Sequence, residues 1–182
     1  MIRDGRAVVE SFVSAGCVHG EPLATDMLLA LAAIPSKYTR EDFEPGHFTA
    51  SSVLVDTETR RLLLIRHPKL GRWLQPGGHI ESADLSVAGA AAREAEEETG
   101  FVVRAEEAVG VGLEIHRIPA WGDEPSHLHL DLRFLFEVDE IAGASPSELD
   151  LEWFAVDSRE ARDALGETLD RVLGILDRSN PT

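Results

Sequence analysis

Residues 91–101 read AAREAEEETGF, a stretch in which alanines give way to charged side chains and then to a glycine. The spacing of small and apolar residues before it predicts a helix over residues 85–99 that ends at Gly100. At about 100° per residue, the small side chains from Val87 to Ala95 share one arc of this helix. Such a face would let the helix lie close against a sheet.

The glutamates of this helix fall on a second arc. Glu94, Glu97 and Glu98 have i, i+3, i+4 spacing, so their carboxylates converge, and Glu98 lies at the border of the buried face. Glu96 points elsewhere. Arg93 can pair with Glu97, but one guanidinium leaves excess negative charge, which favours a bound cation. Carboxylate oxygens suit Mg²⁺ or Mn²⁺; the alternative interpretation is an ordinary solvated helix face.

Strands are predicted on both sides of the helix. Before it, FTASSVLVD and RLLLIRH indicate two strands around a tight polar turn, and PKLGRWLQPGGHIESAD indicates a long loop. After it come three strands, in VGVGLEIHRI, HLHLDLRFLFEVD and LEWFAVD, and a closing helix in SREARDALGETLDRVLGILDR. This order predicts an α/β fold of the α+β type, with helices packed on a mixed sheet.

Residues 1–45 are predicted to form a helical N-terminal extension, in RAVVESFVSA and ATDMLLALAAI. The EPGH stretch at 44–47 then marks the start of a domain that spans residues 46–182. The apolar side chains of residues 23–34 are costly to leave in water. We therefore expect them to pack on the core or to form a homodimer interface.

Composition limits the partners of the chain. The formal net charge of −16 repels nucleic-acid polymers, because their binding depends on Lys and Arg displacing counterions. A small phosphorylated substrate is compatible with this charge, since divalent cations reverse the local field. No apolar run approaches the ~18–20 residues of a membrane span, and the first residues lack a signal-peptide pattern. Together with the single cysteine, Cys17, these features predict a cytoplasmic protein that does not bind a membrane.

Residues 78–101 resemble the signature of the Nudix hydrolases. They read GHIESADLSVAGAAAREAEEETGF, and every position from Arg93 to Phe101 matches the Arg-Glu-apolar-x-Glu-Glu-x-Gly-apolar part of that signature. Upstream there are two departures from it: the acid is Asp84 instead of the usual Glu, and the spacer to Arg93 has eight residues instead of seven. The resemblance covers about residues 47–175.

The resemblance implies a Nudix-like α/β/α sandwich and a reaction. The family hydrolyses a diphosphate linked to another moiety, usually a nucleoside, by water attack on phosphorus with Mg²⁺ or Mn²⁺. A small phosphorylated molecule, a nucleotide derivative, is therefore the implied substrate. Phosphoryl transfer of this kind depends on charge neutralisation and an oriented nucleophile. By resemblance, the metal ligands are Glu94, Glu97, Glu98 and the carbonyl of Gly78, and Arg93 orients Glu94.

The general base is open between two sources in this family, the glutamate helix and a loop acid before the late tryptophan. Here the SELDLEW stretch offers Glu148 and Asp150 at the second place. We assign Glu148, although a solvated loop acid explains either residue equally well.

Four residues of the long loop are predicted to contact the substrate. Gly77 has no side chain to block a phosphate, Lys69 and Arg72 carry charges that phosphates attract, and Trp73 offers a ring for stacking on a base. Trp121 is a second stacking candidate. The competing interpretations are a tight turn for the glycine, solvated charges for the cations and packing for the rings.

His127, His129 and Asp131 share one face of a predicted strand and imitate a metal site. We favour the polar face of a half-buried sheet, a face that could also line the substrate cleft.

Two other functions compete with hydrolysis. An isopentenyl-diphosphate isomerase shares the fold but relies on a core cysteine, whereas Cys17 lies in the N-terminal extension. A Nudix domain without catalysis would sense a nucleotide ligand, but such domains generally lose the glutamates that this chain keeps.

Overall fold

The computed structural model describes residues 2–68, 70–139 and 149–179. Within them, an eight-stranded mixed sheet forms the centre of the protein. The strands are β1 (Val18–Gly20), β2 (Gly46–Asp56), β3 (Arg61–Arg66), β4 (Trp73–Leu74), β5 (Gly77–His79), β6 (Val109–Ile118), β7 (His127–Glu137) and β8 (Leu151–Ala155). The helices are α1 (Gly5–Ser14), α2 (Thr25–Ala32), α3 (Val87–Thr99), α4 (Arg159–Leu165) and α5 (Thr168–Ser179).

The sheet combines parallel and antiparallel pairs, as the sequence predicts. Its strand order is β1-β6-β7-β2-β3-β4, while β5 pairs with β2 and β8 pairs with β3. β1 is parallel to β6 and β2 is parallel to β7, and the other pairs are antiparallel. β2 is buried along its whole length, because it has neighbours on both edges and helices over both faces.

Helices cover both faces of the sheet. α1, α2 and α3 share an apolar core with one face, which includes Leu54 of β2. α4 and α5 share a second core, which includes the neighbouring Val53. Because consecutive residues of a strand point to opposite faces, the two cores lie on opposite sides of the sheet. This arrangement confirms the predicted α/β/α sandwich.

α3 ends at Gly100 as the sequence predicts, but it begins at Val87 instead of the predicted residue 85. The Ser86 hydroxyl accepts a hydrogen bond from the backbone N–H of Gly89 at its start, and Gly100 adopts a left-handed φ of 78° at its end. Its buried residues include Ala91 and Ala95, which lie against the sheet with no exposed surface. Small side chains therefore bring the helix backbone close to β2, where the Ser52 hydroxyl donates to the carbonyl of Ala91 at 2.6 Å.

Two predictions about regular structure are wrong. The closing helix is two helices, α4 and α5, because Gly166 takes a positive φ of 56° that ends the first of them. The long loop contains β4 and β5, because its backbone pairs with β3 and β2 at the edge that the hairpin leaves open. The local composition of this stretch predicted a loop, but its pairing with strands elsewhere in the chain makes two short strands of it.

The N-terminal segment is not wholly helical, because β1 lies between its two helices and adds a parallel strand beside β6. Phe12 of α1 lies 6.0 Å, between ring centroids, from Phe134 of β7, and Leu28 of α2 belongs to the same core. The expectation that residues 23–34 pack on the core is confirmed. Within the described part of the chain, no helix combines the length and apolar character that a bilayer span requires.

Candidate active site

The acidic side chains of α3 differ in burial as their spacing predicts. Glu94 and Glu98 are half-buried, whereas Glu96 is exposed and the Glu97 side chain is 57% exposed. The position of Glu98 at the border of the buried face is confirmed. Glu94 and Glu98 therefore place two carboxylates where water is partly excluded.

The backbone of β5 lies directly against these two carboxylates. The N–H of Gly77 donates to Oε2 of Glu98 at 2.9 Å. A side chain at Gly78 would meet the carboxylate of Glu94, since an added Cβ would lie 2.7–2.8 Å from its atoms. An added Cβ at Gly77 would lie 2.2 Å from the hydroxyl oxygen of Ser51. Close approach to Ser51 therefore requires glycine at position 77, whereas a side chain at position 78 would displace the Glu94 carboxylate.

Arg93 is held by carboxylates and by a backbone carbonyl. Its guanidinium donates to Asp84 through two nitrogens at 3.2 and 3.1 Å and to the carbonyl of His79 at 2.9 Å. The same group donates to Glu94 at 2.9 Å and to Glu97 at 3.0 Å. Asp84 is buried, so its fork with Arg93 is shielded from solvent. In this structure Asp84 anchors Arg93, which in turn contacts Glu94.

Burial changes the protonation of the glutamates. Desolvation raises the pKa of Glu98 to about 7, against the opposing hydrogen bond from Gly77. Desolvation also raises the pKa of Glu94, although Arg93 acts in the opposite direction. A bound cation would favour the charged forms again. Two half-buried carboxylates beside a bare glycine backbone form an oxygen donor set that fits Mg²⁺ or Mn²⁺.

A cleft of about 530 Å³ opens over this donor set. The residues that line it are Thr39, Arg40, Glu41, Gly77, Gly78, His79, Ile80, Glu81, Ser82, Glu94 and Glu98. Arg40 is the one arginine or lysine among these described lining residues, and its guanidinium lies 3.2 Å from Glu124. The wall at Thr39–Glu41 precedes the region of family resemblance, and no local pattern in the sequence marked it.

The structure does not bring Arg72 and Trp73 to the cleft. They line a separate surface depression beside Arg159, and the ring of Trp73 packs edge-on against Phe154 with a centroid distance of 5.2 Å. Their contact with substrate remains a prediction. Two further predicted site residues, Lys69 and Glu148, lie outside the described residues.

The other loop candidates are exposed. Asp150, the alternative base, is exposed and lines a depression with Arg66 and His67. Trp121 is 77% exposed and lies in the loop between β6 and β7. Neither residue lines the glutamate cleft.

Behind the cleft, a buried polar network fills one face of β2 and β7. Asp131 accepts hydrogen bonds from Thr49 at 3.1 Å, from Ser51 at 2.8 Å and from Arg133 at 2.9 Å. Burial acts to raise the pKa of Asp131, but the Arg133 guanidinium and the hydrogen bond from Ser51 contribute to an opposing effect that holds this pKa below its usual value. Arg133 also donates to the carbonyl of Leu165 at 3.0 Å.

The same sheet face carries a cluster of histidines. The ligand atoms of His47, His127 and His129 lie within 4.8 Å of one another, and the rings of His79 and His116 lie 5.2 and 5.5 Å from that of His129. His127 and Asp131 are 2% and 3% exposed, so the expected polar face of a half-buried sheet is wrong for them. His47 is also buried, at 0% exposure. Burial lowers the pKa of His47 to about 4 and that of His129 to about 3. Strand pairing brings His47, His79 and His116 to the face that His127 and His129 share.

Cys17 has a structural environment. Its thiol donates to the carbonyl of Phe12 at 3.3 Å, and it belongs to the core under α1 and α2. Burial raises the pKa of this thiol, which disfavours the reactive thiolate. Cys17 does not line the glutamate cleft, so this environment gives no support to an isomerase with a catalytic cysteine.

Comparison with known proteins identifies the same region of the chain. A family model described as the NUDIX domain matches residues 46–172. A probable DHNTP pyrophosphohydrolase from Lactococcus lactis subsp. cremoris (strain MG1363) is 33% identical over 124 residues, which cover 67% of this chain and 71% of that protein. The region that the family model matches contains β5, α3 and the whole glutamate cluster.

Among solved structures, a MutT NUDIX hydrolase from Burkholderia pseudomallei aligns with 24% identity and a TM-score of 0.49 over 69% of this chain and 96% of its own. A NUDIX family hydrolase from Clostridium perfringens aligns with 25% identity and a TM-score of 0.48 over 74% of this chain and 98% of its own.

Proposed function

Because the chain belongs to the Nudix hydrolase family, which acts on pyrophosphate bonds, we propose that it cleaves the diphosphate linkage of a nucleoside diphosphate derivative with Mg²⁺ or Mn²⁺. The observation that carries this proposal is the placement of Glu94 and Glu98. Both carboxylates are half-buried and lie against the bare backbone of Gly77 and Gly78. Arg93 is shared among Asp84, Glu94 and Glu97, so the carboxylates keep excess negative charge, which suits a metal together with a phosphate.

The proposed metal ligands are the carboxylates of Glu94, Glu97 and Glu98 and the carbonyl of Gly78. When bound, the metal would neutralise phosphate charge and lower the pKa of a bound water. Glu94 and Glu98 supply ligands of fixed position, because backbone and side-chain contacts hold them. Glu97, which is largely exposed, is free to move on binding apart from its contact with Arg93.

Arg93 is proposed as a positioning residue. Its two contacts to Asp84 fix the guanidinium plane, and a third nitrogen contact then fixes the Glu94 carboxylate. Burial acts to lower the pKa of Arg93, but its hydrogen bonds to the Asp84 and Glu94 carboxylates outweigh burial and hold this pKa above its usual value. Asp84 and Arg93 are thus in contact despite the extra residue in the spacer between them.

Substrate binding is proposed at the cleft wall. Arg40 would contact a phosphate oxygen, because it is the basic side chain that lines the cleft. The absence of a side chain at Gly77 and Gly78 would let the diphosphate approach the backbone closely. We retain Glu148 as the proposed general base, with Asp150 as the alternative, because both precede β8 in the chain.

A substrate panel tests this function. The full chain would be incubated with Mg²⁺ or Mn²⁺ and ADP-ribose, dinucleoside polyphosphates, sugar nucleotides or nucleoside triphosphates, and released phosphate-containing products would be measured. Dihydroneopterin triphosphate joins the panel because of the name of the Lactococcus relative. We expect turnover of at least one compound and its loss with a chelator. Binding without turnover of any compound would support a nucleotide sensor instead.

A further inference from the structure

The histidine cluster forms a second group of potential ligands that the proposed hydrolysis does not use. We propose that His47, His127 and His129 bind a Zn²⁺ ion at a site separate from the glutamate cleft. The three ligand atoms lie within 4.8 Å of one another, and the residues come from the facing strands β2 and β7.

Two of these histidines have a buried nitrogen without a partner. Nδ1 of His47 lies 3.2 Å from the carbonyl oxygen of Asp42, and Nδ1 of His127 lies 2.8 Å from that of Pro125. A carbonyl oxygen only accepts, so each Nδ1 carries the proton and each Nε2 presents a lone pair. In the part of the chain that the structure describes, both Nε2 atoms are buried and have no hydrogen-bond partner. An ion bound between them would satisfy both lone pairs.

The contacts at Nδ1 are those that metal-binding histidines usually make. A ligating imidazole typically donates its other N–H to a carbonyl or carboxylate, which fixes the tautomer and the ring orientation. His47 and His127 both have that arrangement with backbone carbonyls, before any ion is bound. Imidazole nitrogen is a borderline-soft donor, so the site favours Zn²⁺ over Mg²⁺.

His129 completes the set of three nitrogens. It is the register partner of His47, so the two side chains share one face of the sheet, and it is half-buried. Zn–N bonds of ~2.0–2.1 Å in a tetrahedral arrangement place the nitrogens ~3.4 Å apart, so binding would draw the three rings inward. Water or His79, whose ring centroid is 5.1 Å from that of His47, would fill the fourth position.

The ion would connect the cleft wall to the sheet. Asp42 and Phe43, which contact His47 and His127, directly follow Thr39–Glu41 in the chain. A bond from Zn²⁺ to both β2 and β7 would hold this segment in place over the sheet.

The experiment uses the full chain, stripped of metal with a chelator and then loaded with Zn²⁺ in a large excess of Mg²⁺. The Mg²⁺ occupies the carboxylates, while the imidazoles keep their preference for Zn²⁺. After unbound metal is removed by gel filtration, we expect about one Zn²⁺ per chain by atomic absorption. Co²⁺ loaded in the same way should give the visible absorption bands of a four-coordinate ion and lose them when Zn²⁺ is added.

Three variants identify the ligands. His127→Gln and His129→Gln should each weaken Zn²⁺ binding by at least ~100-fold, because losing a ligand costs more than losing an outer partner of one. His19→Gln is the control and should bind as the wild type does, since His19 lies on β1 and contacts Glu167 at 2.9 Å. A wild-type chain that retains no Zn²⁺ overturns the proposal, and so does a His129→Gln chain that retains as much as the wild type. The wild-type measurement needs no variant to fold.

Discussion

Each face of β5 lies beside a cluster of ionisable side chains. Burial favours the neutral form of the side chains in both clusters, but the two neutral forms differ in how well they bind a metal. On one face, Gly78 lies against Glu94, and burial raises the pKa of the neighbouring Glu98 to about 7. On the other face, His79 lies beside His47, whose pKa burial lowers to about 4. Desolvation favours the neutral form in both clusters.

What distinguishes the clusters is the state of the lone pairs in that neutral form. A neutral carboxyl is a poor metal ligand until its proton leaves, so a cation must compete with protons at the glutamate cluster. A neutral imidazole already offers a lone pair. One strand thus separates the proposed site for hard cations, which is open to a cleft, from the proposed site for borderline cations, which is largely buried.

The largest expected effect concerns Glu98. Glu98→Gln keeps the shape but removes the charge of a proposed metal ligand, so we expect kcat at saturating Mg²⁺ to fall by ~100-fold or more. Glu96→Gln is the matched control, because Glu96 is exposed, and it should change the rate little. Equal rates for the two variants would show that the carboxylate cluster is not the catalytic site.

The same variant sharpens the comparison between the clusters. If the sites are separate, Glu98→Gln should retain the same number of Zn²⁺ ions per chain as the wild type in excess Mg²⁺. A loss of Zn²⁺ in this variant would mean that glutamates and histidines share one ion.

A smaller effect is expected for Asp84, which acts on the glutamates through Arg93. Asp84→Asn removes the charge that fixes the guanidinium, and we expect kcat to fall by ~10-fold with little change in KM. Asp84→Glu should restore part of the rate, which a merely structural acid would not predict. The control is Asp26→Asn, an exposed acid in the first turn of α2. If Asp84→Asn raised only KM, the positioning role of Arg93 would be wrong.

Arg40 should affect binding more than turnover. Arg40→Gln removes the one arginine or lysine among the described cleft-lining residues, so we expect KM to rise ~3–10-fold while kcat stays within ~2-fold. A rise in KM of this size corresponds to the loss of one solvent-exposed contact between an arginine and a phosphate. Arg104→Gln, an exposed arginine beside Glu106 and Glu107, serves as the control. An unchanged KM would place the phosphates away from the N-terminal wall.

The smallest effect is on stability and depends on pH. The pKa of Glu98 is about 7 in the folded protein against an ordinary value of 4.5, so the folded state holds this proton more tightly. Its contribution to stability is therefore present below pH ~4.5 and is lost as the pH rises through about 7. Without metal at pH 8, we expect Glu98→Gln to melt ~2–4 °C above the wild type, on the order of 1 kcal/mol after allowance for partial exposure.

Melting curves in a chelator would measure this difference, which should shrink as the pH falls towards 4.5. Adding Mg²⁺ should raise the Tm of the wild type more than that of the variant. A variant that is less stable than the wild type in the chelator at pH 8 would show that burial of the charged Glu98 carboxylate does not destabilise the folded protein.

Local spacing predicted the glutamate cluster, because a helix fixes which residues share a side. The arc from Glu94 to Glu98 and the end at Gly100 needed no information from distant parts of the chain. The family signature pointed to Gly78, which belongs to β5 shortly before the helix and lies against its Glu94. These elements could be predicted because their geometry is set within about two dozen consecutive residues.

Other features depend on which strands pair. His47 meets His129 only because β2 and β7 align in that register, and no spacing along the chain encodes the contact. Arg40 reaches the cleft because the N-terminal segment folds over the sheet before β2 begins. The division of the predicted closing helix at Gly166 is a different case. A single glycine within a strong helical pattern is often tolerated, so the sequence did not indicate that a helix would end there.

The break at Gly166 also has a consequence for local unfolding. The carbonyl of Leu165, which ends α4, accepts a hydrogen bond from Arg133, and Arg133 in turn neutralises the fully buried Asp131. If α4 and α5 opened away from the sheet, this ion pair would lose one of the contacts that hold the guanidinium beside the acid. Opening of the C-terminal helices should therefore be coupled to opening of β7. In hydrogen exchange, the amides of α5 and those around Asp131 should open together instead of fraying separately.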